Sequence, residues 1–251
     1  MNDDERLRYS RQIALPQFGE AGLLRLADAR VLSVGLGGIG SPAALYLAAG
    51  GVGRLVLNDC DRVDASNLPR QVLYRDDDLD KPKAAAAAAR LQAASSALQI
   101  EVLDQRLDDS ALAAAARGCD VVLDCSDNFT TRSQINRACI VSARPLVSGA
   151  AIRLEGQVAV FRHDLPGEPC YNCLYPEEDE LLENCTGQGI LGPVAGTIGS
   201  LMATETIKRL CDLPSDLAGK VWLYDGLAGH TRSLRLRRRH NCAACALARS
   251  D

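Results

Sequence analysis

The chain has 251 residues, 47% of them hydrophobic and 24% charged, and carries a formal net charge of −4. That length and apolar content suit one large α/β domain, or one domain with an appendage. The acidic balance argues against a nucleic-acid surface, and no apolar run is long and unbroken enough to span a bilayer.

The start, MNDDERLRYSRQ, is charged and lacks an apolar signal-like run, so a cytoplasmic protein is expected. A short helical stretch follows at 23–27. Residues 31–34 read as an apolar strand running into Gly35, Gly37, Gly38 and Gly40, and the glycine loop opens a helix through 43–49. A second strand, 55–57, ends at Asp59. Residues 81–95 are helical by propensity, with six consecutive alanines from Ala84 to Ala89. Strands at 100–103 and 121–123 flank a helix at 109–117, and a helix over 129–142 leads to a short strand at 146–147 and another at 157–161. This alternation predicts right-handed crossovers and a mainly parallel, Rossmann-like sheet with helices on both faces. Ligands in such sheets sit beyond the carboxyl ends of the strands, where Gly35, Asp59 and Asp127 all fall. From 163 to 189 the pattern gives way to a long Pro-, Glu- and Cys-containing loop, before a helix at 198–210. Residues 221–224 and 231–237 then form an antiparallel pair. The chain reads as a single unit, 1–150 a nucleotide-binding core and 151–251 a part that carries the paired cysteines.

The loop Gly35-Leu36-Gly37-Gly38-Ile39-Gly40 aims backbone N–H groups and a helix dipole at phosphate. Asp59 lies about 20 residues beyond, the distance at which a carboxylate meets ribose hydroxyls. Asn67, Arg70, Gln71, Lys83 and Asp127 have no task in a nicotinamide site. Two cations and a further carboxylate suit a triphosphate with its metal. Lys83 stands at a helix start, where a cation opposes the dipole unless it faces an anion. Asp127, at a strand's carboxyl end, suits magnesium, with capping of the next helix as the plainer role and Arg132 as a structural partner.

The 10 cysteines come without a secretory signal. Cys170-Tyr171-Asn172-Cys173 and Cys242-Ala243-Ala244-Cys245 have the spacing of a four-cysteine zinc site, outside any thioredoxin-like context. Cys60, Cys119, Cys125, Cys139 and Cys211 lie in or beside apolar runs and read as small core residues. Cys185, alone in a polar stretch, is the candidate nucleophile, without a visible base. Arg235, Arg237, Arg238 and Arg239 alternate with leucines as a half-buried strand with a solvated face.

Together these strings resemble the MoeB/ThiF family of adenylyltransferases, relatives of the ubiquitin-activating enzymes. The resemblance runs from Arg8-Tyr9-Ser10-Arg11-Gln12 to Cys245. It includes Asn67-Leu68-Pro69-Arg70-Gln71, with Pro69 where the family usually has glutamine, then Pro82-Lys83, Asp124-Cys125-Ser126-Asp127-Asn128 and both cysteine pairs. It implies ATP-dependent adenylation of the C-terminal Gly-Gly of a ubiquitin-like sulfur carrier. Asp59 would hold the ribose, Arg70 and Lys83 the phosphates, and Asp127 Mg2+. Asn67 and Gln71 would line the same site, and Arg11 would serve the neighbouring subunit of a homodimer. No rhodanese domain follows, so a separate sulfur donor, a cysteine desulfurase or rhodanese, is expected. The stretch Ser148-Gly149-Ala150-Ala151-Ile152-Arg153-Leu154-Glu155-Gly156-Gln157 resembles the molybdopterin branch, while Arg8–Gln12 and Gly40–Leu47 also resemble the thiamine branch, where a cysteine at the position of Cys185 joins the carrier through sulfur. An NAD-dependent oxidoreductase would leave Arg70, Lys83 and the cysteine pairs without a role, and a non-catalytic zinc-stapled module would not need the phosphate residues.

Overall fold

Short runs of branched apolar residues build the centre of the molecule, a computed structural model described over residues 3–176 and 189–248. Strand β1 (Arg30–Val34) shows why. Val31 enters the core on one face of the sheet, while Leu32 and Val34 enter the core on the other. That two-residue alternation, buried on both sides, is the signature of a central parallel strand.

Three short N-terminal helices, α1 (Asp3–Arg8), α2 (Ser10–Ile13) and α3 (Gly19–Asp28), precede β1. Then follow α4 (Gly40–Gly50), β2 (Arg54–Asn58), α5 (Lys83–Ala94), β3 (Gln99–Leu103), α6 (Asp109–Arg117), β4 (Val121–Asp124) and α7 (Phe129–Ser142). The second half comprises β5 (Leu146–Ile152), β6 (Glu155–Phe161), α8 (Tyr171–Leu174), α9 (Gly192–Leu210), β7 (Lys220–Asp225) and β8 (His230–Arg235). All eight strands share one sheet in the order β3-β2-β1-β4-β5-β6-β7-β8. The first five are parallel; β6, β7 and β8 extend the sheet antiparallel. Residues of α3, α4, α5 and α9 pack on one face, and those of α6 and α7 on the other. The fold is therefore mixed α/β with helices on both faces, as expected.

Several elements differ from the pattern reading. Strand β5 runs five residues further, to Ile152, because Gly149 lies directly beneath α9, where a Cβ would come 2.2 Å from Met202 Sδ. The glycines at 192, 196 and 199 hid the first turns of α9, which starts at Gly192 with Pro193 in its first turn, a position that tolerates proline. Helix α5 begins at Lys83, leaving Lys81 and Pro82 outside. A one-turn helix, α8, interrupts the expected long loop. Strand β8 is exposed along its length rather than half-buried, because it is the sheet's edge and no described element covers either face. It ends at Arg235, so Arg237, Arg238 and Arg239 lie beyond it. Cys119, Cys125, Cys139 and Cys211 are buried as expected, but Cys60 is exposed. The chain leaves the sheet after Asn58, so Cys60 lies past the strand end and outside the core. No described helix is long and apolar enough to cross a membrane.

Candidate active site

Sheet order places the site. Strands β2 and β3 lie on one side of β1 and β4 on the other, so the connections diverge between β1 and β4 and open a crevice at their carboxyl ends. The loops after β1 and β4 touch there: Gly35 has φ +91°, and a Cβ on it would meet the Cys125 carbonyl at 2.7 Å. Gly40 is needed for a different reason, since its Cβ would fall 2.1 Å from the Gly35 carbonyl and push the loop off the start of α4. The loop is held from below by Ser41 Oγ and Tyr74 Oη, each donating to the Leu36 carbonyl at 3.0 Å.

Above the loop lies a cleft of about 930 Å³. The structure gathers Gly35, Gly37, Gly38, Asp59, Asn67, Arg70, Gln71, Lys83 and Asp127 on its walls. Gly40 packs behind the loop. Arg11 is exposed on α2 and is not among the residues lining this cleft. Cys185 lies outside the described residues.

Asp59 is fixed against the glycine loop, accepting from Leu36 N–H at 2.7 Å and Asp61 N–H at 2.9 Å. Burial raises its carboxyl above the ordinary aspartate value, opposed by the Asp61 N–H, the Lys83 charge and the Leu36 N–H. Lys83 is buried at the first turn of α5, its Nζ 2.9 Å from Asp61 Oδ2. Asp61 therefore answers the dipole problem posed by the sequence, and its own carboxylate is mostly exposed at the cleft wall. Arg70 follows a single 3-10 turn (Ala65–Asn67) and donates from Nη1 to the Ser66 carbonyl at 2.8 Å.

Two atoms point to a ligand. Asn67 Oδ1 and Gln71 Oε1 are buried in the cleft wall without a hydrogen-bond partner among the described residues. Leaving a buried polar atom unsatisfied costs about 1–3 kcal/mol, so a pair of them in one cleft suits a polar ligand such as a nucleotide.

Asp127 sits on the loop between β4 and α7. It is not the cap of α7: Asn128 is, accepting from Thr131 N–H at 2.9 Å. That leaves the Asp127 carboxylate on the cleft wall, with Asn128 Nδ2 donating to it at 3.3 Å. Arg132, expected beside Asp127, makes a buried ion pair with Asp124 at 3.3 Å and donates to the Gly149 carbonyl at 3.0 Å. The reason is position: Asp124 ends β4, directly beneath the first turns of α7. Asp61 and Tyr74 escaped the sequence reading, and Arg132 was expected beside Asp127 rather than Asp124, because these pairings are set by packing rather than by local sequence. Arg62 and Arg106 also line the cleft, again without a local sequence signal.

A second groove, of about 710 Å³, opens from the first and shares Asp127, Arg132, Ala151 and Ile152 with it. Its floor is the β5–β6 hairpin and its wall is aromatic, from Phe129, Tyr171 and Tyr175.

On the far side of α7 the four paired cysteines converge. Cys170 Sγ lies 3.8 Å from Cys173, 3.5 Å from Cys242 and 3.4 Å from Cys245, and Cys173 lies 3.5 Å from Cys245. Zinc bound by sulfur at about 2.3 Å sets tetrahedral S···S edges of about 3.8 Å, so the donor set and its spacing fit a Zn2+ ion. Arg239 N–H donates to Cys173 Sγ at 3.3 Å, a contact that favours the thiolate.

A family model described as the ThiF family matches residues 9–244. A mouse protein named adenylyltransferase and sulfurtransferase MOCS3 is 47% identical over 248 residues, covering 98% of this chain and 54% of that protein. The chain thus spans about half the length of that relative. In Escherichia coli (strain K12), sulfur carrier protein ThiS adenylyltransferase is 44% identical over 252 residues, covering 100% of this chain and 99% of the relative. Molybdopterin-synthase adenylyltransferase of the same strain is 44% identical over 245 residues, covering 98% of each. Among solved structures, E. coli MccB with succinimide superposes with a TM-score of 0.82 at 22% identity, covering 95% of this chain and 73% of that one. That likeness is one of fold.

Proposed function

This chain belongs to the ThiF family, and we propose that it adenylates the C-terminal glycine of a ubiquitin-like sulfur carrier, releasing pyrophosphate from ATP. The observation that carries the reading is the cleft itself, where the glycine loop, Asp59, Arg70, Lys83 and Asp127 surround two unpartnered buried amide oxygens.

The carrier's terminal carboxylate is ionised near neutrality and needs no base. One of its oxygens bonds to the α-phosphorus while the bond to the pyrophosphate oxygen breaks, so the chain's task is alignment and charge neutralisation. Asp59 takes the ribose hydroxyls, held in place by Leu36 N–H. Asn67 and Gln71 turn their amides to the nucleotide. Arg70 neutralises the departing pyrophosphate with its planar fork, and Lys83 supplies a point charge near the α-phosphate. Asp127 would hold Mg2+, which would supply positive charge to the phosphates. The carrier's glycine tail runs along the second groove, whose Ala150, Ala151 and Gly156 leave room for an extended chain and whose inner end meets Asp127. Arg11, exposed and outside its own cleft, completes the site of the partner in a homodimer.

The preferred carrier is that of molybdopterin synthase, because the stretch resembling that branch, 148–157, forms the hairpin under the groove. Cys170, Cys173, Cys242 and Cys245 would hold Zn2+; four thiolates would leave no open position, so its role would be structural.

Carrier-dependent ATP–pyrophosphate exchange tests the reaction. Exchange with the molybdopterin-type carrier and not the thiamine-type carrier is expected, and Arg70→Ala or Asp127→Ala should lower it by about 10²-fold or more. Undiminished exchange in both variants refutes the roles, and exchange with the thiamine carrier alone reassigns the substrate. For the dimer, Arg11→Ala and Asp127→Ala chains combined in a tagged mixed dimer should regain activity at one site. A confirmed mixed dimer without activity rejects the shared site.

A further inference from the structure

The cysteine cluster and the second groove are joined by a buried polar connection. Between the two thiols of Cys170-Tyr171-Asn172-Cys173 stand one residue that faces the groove and one that faces the core. Tyr171 lines the groove, and its N–H donates to Asn136 Oδ1 at 3.0 Å. Asn172 is 4% exposed and accepts from Asn136 Nδ2 at 2.6 Å, while Asn136, on α7, is wholly buried. The Asn172 amide donates in turn to Ser133 Oγ at 3.1 Å and to the Tyr175 carbonyl at 3.4 Å. Tyr175 reaches back over the groove, its hydroxyl donating to Gln157 Oε1 at 2.7 Å. Its ring packs against Tyr171 at 5.4 Å and edge-on to Phe129 at 5.7 Å.

We infer that Asn172, clamped by Asn136 and Ser133, is a positioning residue that sets the aromatic wall of the second groove from the cysteine cluster. A one-turn helix such as α8 is too short to hold its own shape, so its geometry must come from tertiary contacts. The cluster anchors it through Cys170, the residue before its first turn, and Cys173 within that turn. The side-chain amide of Asn172 fixes its rotation relative to α7, and that rotation aims Tyr171 and Tyr175. Asn172 has the two donors and one acceptor this needs, all used in the dry interior, where such networks are most directional. The consequence is chemical selectivity: carrier engagement depends on Asn172, whereas the nucleotide cleft, built from β1, β2 and β4, does not.

The inference rests on the groove being the carrier's channel, and the test separates the two. Carrier-dependent exchange is measured for the wild type, Asn172→Ala and Ser133→Ala, with zinc content, ATP affinity and melting temperature determined alongside. Ser133→Ala deletes one acceptor and leaves the helix intact, so it serves where Asn172→Ala folds poorly. Asn172→Ala should raise the carrier KM by about tenfold, the effect of losing a hydrogen bond that orients the wall. Ser133→Ala should raise it less, and both should leave ATP affinity and zinc content at wild-type values. An isolated peptide ending in the carrier's Gly-Gly tail should show the same order of binding loss, a readout independent of turnover. Unchanged carrier KM and peptide binding in both variants overturn the inference while the proposed reaction stands, as does an equal loss of ATP and carrier affinity. Absence of carrier-dependent exchange in the wild type overturns the reaction and the inference together.

Discussion

Asp124→Asn tests the floor of the site. Asp124 is wholly buried, and Arg132 is 5% exposed. Asp124 Oδ1 accepts from Ser126 N–H at 3.1 Å and Ser126 Oγ at 2.6 Å; Oδ2 accepts from Arg132 Nη1 at 3.3 Å and Ser148 Oγ at 2.8 Å. Each of these neighbours is a donor, so an amide placed there sets its NH2 against donors on one side or the other. It also removes the buried negative charge that Asp124 sets 3.3 Å from the Arg132 guanidinium. Breaking a buried pair in this way costs about 3–5 kcal/mol. For a chain of this size each kcal/mol moves the melting temperature by about 2–4 °C, so the expected drop is roughly 6–20 °C. Arg132→Leu should cost less, because the serine donors remain on Asp124. The double variant should be less destabilised than the sum of the two, because both single changes remove the same Asp124–Arg132 contact. Thermal and urea unfolding followed by Trp222, the chain's one tryptophan, measures all three. A melting temperature for Asp124→Asn within about 2 °C of wild type, or strictly additive costs, would refute the pair's role.

Three further outcomes are expected. Cys173→Ser should lower zinc content from about one ion per chain and reduce thermal stability together; a metal-free preparation with unchanged melting would contradict the structural site. Cys60 is exposed on the wall of the nucleotide cleft, so iodoacetamide should label it, and saturating ATP should slow that labelling while Cys119 and Cys139 stay protected throughout; equal rates with and without ATP would place the nucleotide elsewhere. Burial pushes the His163 imidazole down to about 4, against about 6.5 when unfolded. The folded state thus favours the neutral ring, so its contribution is fully present above pH 6.5 and is lost as pH falls from 6.5 toward 4, by at most about 3 kcal/mol. His163→Gln should flatten stability across that window in urea titrations, and an unchanged slope would show that the ring is not desolvated.

Local chemistry made much of this protein legible in one dimension. The strand, glycine loop and helix around Gly35–Gly40 are a contiguous event, as are the alanine-rich α5 and the four cysteines in two tight pairs. Each is written in residues a few positions apart, where period, turn chemistry and ligand spacing operate. Even the direction of the sheet followed from strands alternating with helices. The same locality explains the misreadings: the glycines of α9 look like breakers until Gly149 is seen to lie against that helix, and Arg235–Arg239 look amphipathic until β8 proves to be an uncovered edge. Tertiary structure alone decided what each polar side chain meets. It carried Lys83 to Asp61, Arg132 to Asp124 and Asn172 to Asn136, and left Asn67 and Gln71 in a cleft with oxygens unpartnered among the described residues. Those contacts depend on which strand lies beside which, and β1 lies between β2 and β4 only because sheet order need not follow chain order. Sequence spacing sets the short-range geometry of a chain, whereas a buried charge or amide takes its partner from whatever the packed sheet brings within about 3 Å.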